Sequence, residues 1–582
     1  MPGIYFYTLL QEYPVEIAIL PAPRSTLPKL TLIPHKFMLC GELAVVGSQR
    51  LQPAWACGAE GCAKPLASRL SITHARPDLT AGLSNLLARA AGLARAEQRP
   101  ILVSRTTAAP QVDPVAFFQR GSAAGAQLHF WAVPQRGCFL VGVGEAWSFT
   151  AEGPERFSTI DTQWRQLLQD AILDPADGAS GSPSGNRQPA TAGASDNGAW
   201  TVTDPTRGPL LMGGFSFDPL RPATERWTGF PDGAMTVPRF QLALTPGGGR
   251  LTVNVVVTPD ADIDKELEKV QQELASLLPP VAGDGNQAGS AVPALDRKNP
   301  SPANPEGLTA TDIDAAGWQE AVAEAARWIR QGRLEKVVLA REVIVKADHP
   351  LDGVAALAFL IDRYPTCYVF AVARGDRCFL GASPEQLVQL QGTQVRAMGL
   401  AGTARRDPGE DRDRELGQAL LNNPKEREEH AVVVRFIKAM LEPLCTELDV
   451  PGTPTLLRVR NVQHLYTPIT GKIARSNTIF DLVARLHPTP AVGGAPRDEA
   501  LALIRRLESF DRGWYAAPVG WVDKEGNGEF AVAIRSALLR GREASLFAGC
   551  GIMGDSDPEA EFQESRYKLR PMLRALAAGD GE

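Results

Sequence analysis

Two pairs of glutamates in the last third of this chain carry the most distinctive chemistry. Glu426 and Glu429 stand in Lys425-Glu426-Arg427-Glu428-Glu429-His430, and Glu561 and Glu564 in Glu559-Ala560-Glu561-Phe562-Gln563-Glu564. Each pair is spaced i, i+3, which on a helix puts both carboxylates on one face. If the two helices meet, four carboxylates converge, an arrangement that Coulomb repulsion disfavours unless a cation sits among them. Hard oxygen ligands with room for water and substrate oxygens describe a Mg²⁺ site better than a zinc or soft-metal site. Charged pairs at this spacing are also ordinary on solvated helix faces, so their weight depends on what else the chain brings.

It brings several residue-specific segments. Lys336-Val337-Val338-Leu339-Ala340-Arg341 reads as a buried strand with a lysine at its mouth, and Gly381-Ala382-Ser383-Pro384-Glu385 places a glutamate just past a turn. A lysine at a strand mouth is commonly a snorkelling edge residue. Leu400-Ala401-Gly402-Thr403-Ala404-Arg405-Arg406 reads as a tight small-residue turn. His487-Pro488-Thr489-Pro490-Ala491-Val492-Gly493-Gly494 and Phe510-Asp511-Arg512-Gly513-Trp514-Tyr515 are irregular. Gly549-Cys550-Gly551-Ile552-Met553-Gly554 is a literal GxGxxG between a strand (544–548) and a helix. Too little chain follows it for a dinucleotide-binding half and no acidic residue ends a second strand, so a nicotinamide or flavin site is not expected. The expectation is a turn whose backbone N–H groups approach an anion, followed by a helix capped by Asp557 with Pro558 at its first position.

In this order and spacing, the segments resemble the chorismate-utilising enzymes, and within them the isochorismate synthases. The resemblance is dense over residues 311–576 and thinner over 78–280, where Gly213-Gly214-Phe215-Ser216-Phe217-Asp218-Pro219 belongs to it. It implies an α+β fold of two packed antiparallel β-sheets flanked by helices, with chorismate as substrate and Mg²⁺ as cofactor. It implies Lys336 as base and Glu385 as acid, Glu429 and Glu564 as direct metal ligands, and Glu426 and Glu561 acting through water. Gly402, Thr403, His464, Arg535, Gly549 and Lys568 would contact substrate, the arginine bidentately and the lysine as a point charge. His430 and His487 read as structural. Lysine at position 336 matches the water-using branch, whereas the branch that adds ammonia typically has glutamine there. Ala401 stands where a nucleophilic lysine occurs in aminodeoxychorismate synthases. Salicylate synthase shares the same base, acid and metal and remains the alternative; so does an isochorismate synthase serving a siderophore rather than a quinone pathway. Base chemistry requires part of the lysine to be neutral, which a dry wall, cationic neighbours and a nearby Mg²⁺ favour. Acid chemistry requires Glu385 to keep its proton near neutral pH, which partial burial permits. A non-catalytic protein keeping the fold has no physical need of these four carboxylates.

The elements that must position these residues follow from period and punctuation. Residues 83–98 pattern as an amphipathic helix, 101–104 as a strand, and 127–133 with 138–142 as paired strands across Pro134-Gln135-Arg136-Gly137. A helix is expected over 162–173, strands over 209–217, 239–244 and 250–257, and a helix over 264–278. Residues 1–76 read as a proline-rich extension, 77–280 as an N-terminal subdomain, 281–308 as a linker and 309–578 as the catalytic domain. Gly, Ser, Ala, Asn and Pro dominate 174–207, which reads as a disordered insertion. Cys57 and Cys62 with Cys40 and His35 form a loose set outside the tight zinc spacings.

The composition is that of a water-soluble globular protein: 582 residues, 44% hydrophobic, 22% charged, net charge −6. No basic stripe dominates, which argues against nucleic acid and anionic membranes as partners. Apolar runs are strand-sized, no secretory signal pattern opens the chain, and eight cysteines are too sparse for a disulfide scaffold. A cytoplasmic monomer or weak homo-oligomer is the expectation.

Overall fold

The computed structural model describes residues 82–174, 208–278, 308–312, 315–474 and 476–577. The extension, most of the insertion and the linker read from the sequence, and the Cys40–Cys62 set, lie outside these residues. The described residues hold eleven α-helices and 21 strands. The expected α+β class is observed, and the strands form one hydrogen-bonded network rather than two separate sheets. Pairing is antiparallel throughout except where Ile172–Asp174 runs parallel to Ile101–Ala108. No helix among the described residues is long and apolar enough to cross a membrane.

Strands from the two halves of the chain interleave. Leu128–Val133 pairs with Tyr368–Arg374, and Leu210–Phe215 pairs with Pro518–Asp523. Almost every residue of these strands is buried, which is why they read as apolar runs rather than alternating ones. An aromatic cluster locks the halves together: Phe157, Phe215, Phe480 and Phe530 meet with ring centroids 4.4 to 6.3 Å apart.

Three expectations are corrected. The helix expected over 162–173 is Arg156–Leu168; Ile172–Asp174 is instead drawn into the parallel pairing with Val103–Arg105. The segment 400–406 is no turn: all of it but Arg406 lies in the strand Gln394–Arg405, which carries a β-bulge between Ala401 and Thr403 with Gly402 at φ +77°. The glycines at 549 and 551 also lie in a strand, Glu543–Ile552, paired with Ala340 and Val338.

Candidate active site

Two helices, four strands and the turns beside them build one cavity of about 270 Å³. The first helix, Pro424–Leu441, starts where Asn423 accepts from the N–H groups of Lys425 (2.9 Å) and Glu426 (3.3 Å), with Pro424 at its first position. Val432, Val433, Ile437 and Leu441 are buried, and that packing turns Glu426 and Glu429 towards the cavity. The second helix, Pro558–Ala577, starts at Asp557, whose side chain accepts from Ala560 N–H at 2.8 Å. Glu561 and Glu564 face the same cavity.

Eleven of the twelve residues singled out from the sequence line this cavity: Glu385, Gly402, Thr403, Glu426, Glu429, His464, Arg535, Gly549, Glu561, Glu564 and Lys568. The twelfth, Lys336, lies behind Glu429, 1% exposed, with Nζ 2.9 Å from Glu429 Oε1. This differs from the expectation of cationic neighbours, since the amine faces a carboxylate. Lysines also meet the two glutamates of the second helix. Lys568 Nζ lies 2.6 Å from Glu564 Oε1 and donates to Gly549 O at 2.9 Å, and Lys425 Nζ lies 3.6 Å from Glu561. The chain itself thus supplies part of the countercharge that four converging carboxylates require.

Electrostatics separate the carboxyls by role. Burial pushes Glu385 up to about 8, against the pull of Lys336, Arg535 and Lys568. Burial and then Glu564 push Glu561 up to about 7, while Ser556 Oγ donates to its Oε1 at 2.8 Å. Glu426 is raised by burial and by Glu429, and its Oε2 accepts from Thr403 N–H at 3.0 Å. Burial alone would raise Glu564 too, but Lys568, Arg535 and Lys425 together outweigh it and the net direction is down.

The glutamates could hold a hard cation. Cys550 offers a sulfur within 4.8 Å of ligand oxygens of Glu561 and Glu564, but burial drives its thiol well up, and a protonated thiol is a poor ligand. What remains is a carboxylate set of the kind that suits Mg²⁺.

The strands leave room for this chemistry. A Cβ on Gly551 would collide with Glu429 Oε1 and come within 3.0 Å of Lys336 Cε; one on Gly549 would lie 3.2 Å from the Tyr515 hydroxyl. At the bulge, a Cβ on Gly402 would sit 3.1 Å from Glu426 Oε2. Arg535 takes the left-handed region at φ +54°, a conformation a bulky residue adopts at a cost. Its guanidinium lines the cavity without a hydrogen bond to a described residue.

His464 Nδ1 lies 3.2 Å from Gly402 O and 3.1 Å from Thr403 Oγ1. A carbonyl can only accept, so Nδ1 carries the proton and Nε2, buried without a partner among the described residues, is an acceptor. Burial, then Arg535 and Lys568, lower this histidine to about 3, so it is neutral. His430 Nε2 meets Thr467 Oγ1 at 2.8 Å and His487 Nε2 donates to Phe217 O at 3.0 Å, both away from the cavity lining. The sequence reading gave no role to Lys425, Arg512, Tyr515 or Gly551, all of which line the cavity. Arg512 and Tyr515 were visible only as members of an irregular motif.

Residues 86–184 and 193–577 match the chorismate binding enzyme family. The chain belongs to that family. It is 36% identical over 479 residues to isochorismate synthase MenF of Bacillus subtilis, covering 82% of this chain and 93% of that protein. It is also 36% identical over 505 residues to the salicylate biosynthesis isochorismate synthase of Pseudomonas aeruginosa, covering 85% and 94%. Among solved structures, the menaquinone-specific isochorismate synthase MenF of Escherichia coli superposes with a TM-score of 0.61 at 25% identity, covering 84% of this chain and all of that one.

Proposed function

We propose that this member of the chorismate-binding enzymes is an isochorismate synthase that uses Mg²⁺. The observation that carries the reading is that one cavity has a carboxyl pushed up to about 8 in its wall and, directly behind its Glu429, a buried lysine amine. A buried carboxyl that keeps its proton near neutral pH can serve as an acid, and a lysine amine beside the same cavity supplies a base.

Lys336 takes a proton from a water molecule as its oxygen bonds to carbon 2 of chorismate. The ring double bonds shift, the bond from carbon 4 to its hydroxyl breaks, and Glu385 delivers its proton to the departing oxygen. One water enters and one leaves, so the reaction is an isomerisation and runs in both directions. Arg535 and Lys568 meet substrate carboxylates, and His464 Nε2 accepts from a ring hydroxyl. Glu429 and Glu564 would hold Mg²⁺ directly, with Glu426 and Glu561 acting through water. Bound there, the ion would anchor the ring carboxylate and balance its charge.

Supporting the quinone pathway are the B. subtilis relative and the E. coli structure. The P. aeruginosa relative, at equal identity, favours a second reading in which the isochorismate serves salicylate formation. Reaction in ¹⁸O-labelled water tests the chemistry: isochorismate labelled at the carbon 2 hydroxyl is expected, and unlabelled isochorismate would contradict water addition. Pyruvate released in proportion to product would show that elimination follows, as in a salicylate synthase.

A further inference from the structure

The strand that carries Lys336 is fully paired on one side, where Val337–Lys346 faces Glu543–Ile552. On the other side it is paired only at its ends, Lys336 and Val337 with Gly494–Ala495 and Val343–Ala347 with Leu308–Asp312. Between those ends no strand among the described residues covers the edge. A buried backbone needs partners: Val338 N–H donates to Gly493 O at 2.7 Å, and the next two groups along the edge are met by side chains. Arg512 Nη2 donates to Val338 O at 2.8 Å, and Glu508 Oε1 accepts from Ala340 N–H at 2.8 Å.

These two side chains are bound to each other. Arg512 Nε donates to Glu508 Oε2 at 2.9 Å and Nη2 to Oε1 at 2.5 Å, with the side chains 3% and 2% exposed. Nη1 donates to Val492 O at 2.8 Å, tying in the loop that leads to Gly494, and the guanidinium lies 4.3 Å over the Phe217 ring. Although Arg512 lines the substrate cavity, four of its five N–H donors are thus committed to protein. That leaves it little capacity to bind substrate. A second cavity of about 480 Å³ opens against the same edge, with Ala340, Glu342, Glu508 and Phe510 in its wall. A strand edge beside a cavity is poorly held unless something fixes it.

We infer that the Glu508–Arg512 pair is a positioning device for Lys336, standing in for a missing strand. It fixes the tilt of residues 336–340 and hence the direction of the amine. The inference rests on the reading of Lys336 as base. It also explains a buried ion pair that stability alone does not require, since such pairs often contribute little net stability.

Arg512→Lys tests this, because it keeps a charge opposite Glu508 but cannot fork to Val338 and Val492. Misplacing a reacting group by about 1 Å costs roughly 10²-fold, so kcat should fall by about that factor. KM for chorismate should stay within about threefold, because substrate-binding groups are untouched. Amide exchange should quicken at Ala340 and stay slow at Val345 and Val253. Arg505→Lys is the control: it disturbs a bidentate pair with Asp218 (2.5 and 2.9 Å) away from the base and should leave kcat unchanged. A kcat near the parent value overturns the inference. So does a fall in kcat accompanied by loss of amide protection throughout the chain, which marks a merely structural role. If Arg512→Lys does not fold, Glu508→Asp, which withdraws the carboxylate from Ala340, answers by the same readouts. Lys336→Ala run in parallel separates the failures: if it stays active, base and positioning claims fall together, and if it is inactive while Arg512→Lys is not impaired, only the positioning claim falls.

Discussion

The two walls of the cavity are built on different logic. The helical wall presents four glutamates from two helices, and its geometry is local: each pair is fixed by the i, i+3 period and by a cap at Asn423 or Asp557. The strand wall gathers Glu385, Arg535 and Gly549, with Lys336 behind Glu429, from four separate strands or turns, and depends on register and on the absence of side chains. Charge is concentrated on the first wall and placement on the second. Proton transfer tolerates less displacement than charge balance does, so damage to the strand wall should cost more.

The largest effect is expected at Lys336. Lys336→Ala should lower kcat by about 10²- to 10⁴-fold with the fold intact, measured by turnover and circular dichroism. Near-parental turnover would remove it as base.

Next comes Glu385, through pH. Below about 8 the folded protein holds this proton and the acid is available; as pH rises through about 8 the acid is lost and turnover should fall. The same shift sets a sign for stability. Between the ordinary value of 4.5 and about 8 the folded state binds more protons than the unfolded state, so stability falls as pH rises across that window. Glu385→Gln should remove this part of the pH dependence of the thermal midpoint, and an unaltered slope would show that another group causes it.

On the helical wall, Glu564→Gln should shift the Mg²⁺ titration of activity to higher concentration and raise KM for chorismate together. Overlapping titration curves for variant and parent would contradict its place as a ligand. Gly551→Ala tests where the walls touch, because its methyl group would displace the Glu429 carboxylate and crowd Lys336. It should impair both Mg²⁺ response and kcat. The smallest effect belongs to Asn423→Ala, which removes a cap and should cost about 1 kcal/mol of stability with kcat little changed. A large kcat loss there would mean that the helical wall also needs fine placement.

This difference explains what could be read from the chain alone. The glutamate pairs were legible because helical period and caps are local, and the segments around Lys336, Glu385 and Arg535 were legible in combination. Gly549 and Gly551 were read as a turn because GxGxxG does not say whether glycine bends the chain or clears space. Only the register with Ala340 and Val338 settles that. Gly402 was misread for a related reason, since a bulge inside a long strand shares its residues with a turn. The partners of Arg512 could not be foreseen, because one is a backbone oxygen 174 residues away.

The central claim is Mg²⁺-supported conversion of chorismate to isochorismate. It is tested most directly by incubating the purified protein with chorismate, with Mg²⁺ or with EDTA, and separating the products by chromatography. The account predicts an equilibrium mixture of chorismate and isochorismate with Mg²⁺ and unchanged chorismate with EDTA. Chorismate left unchanged in both, or isochorismate formed equally in both, would contradict it.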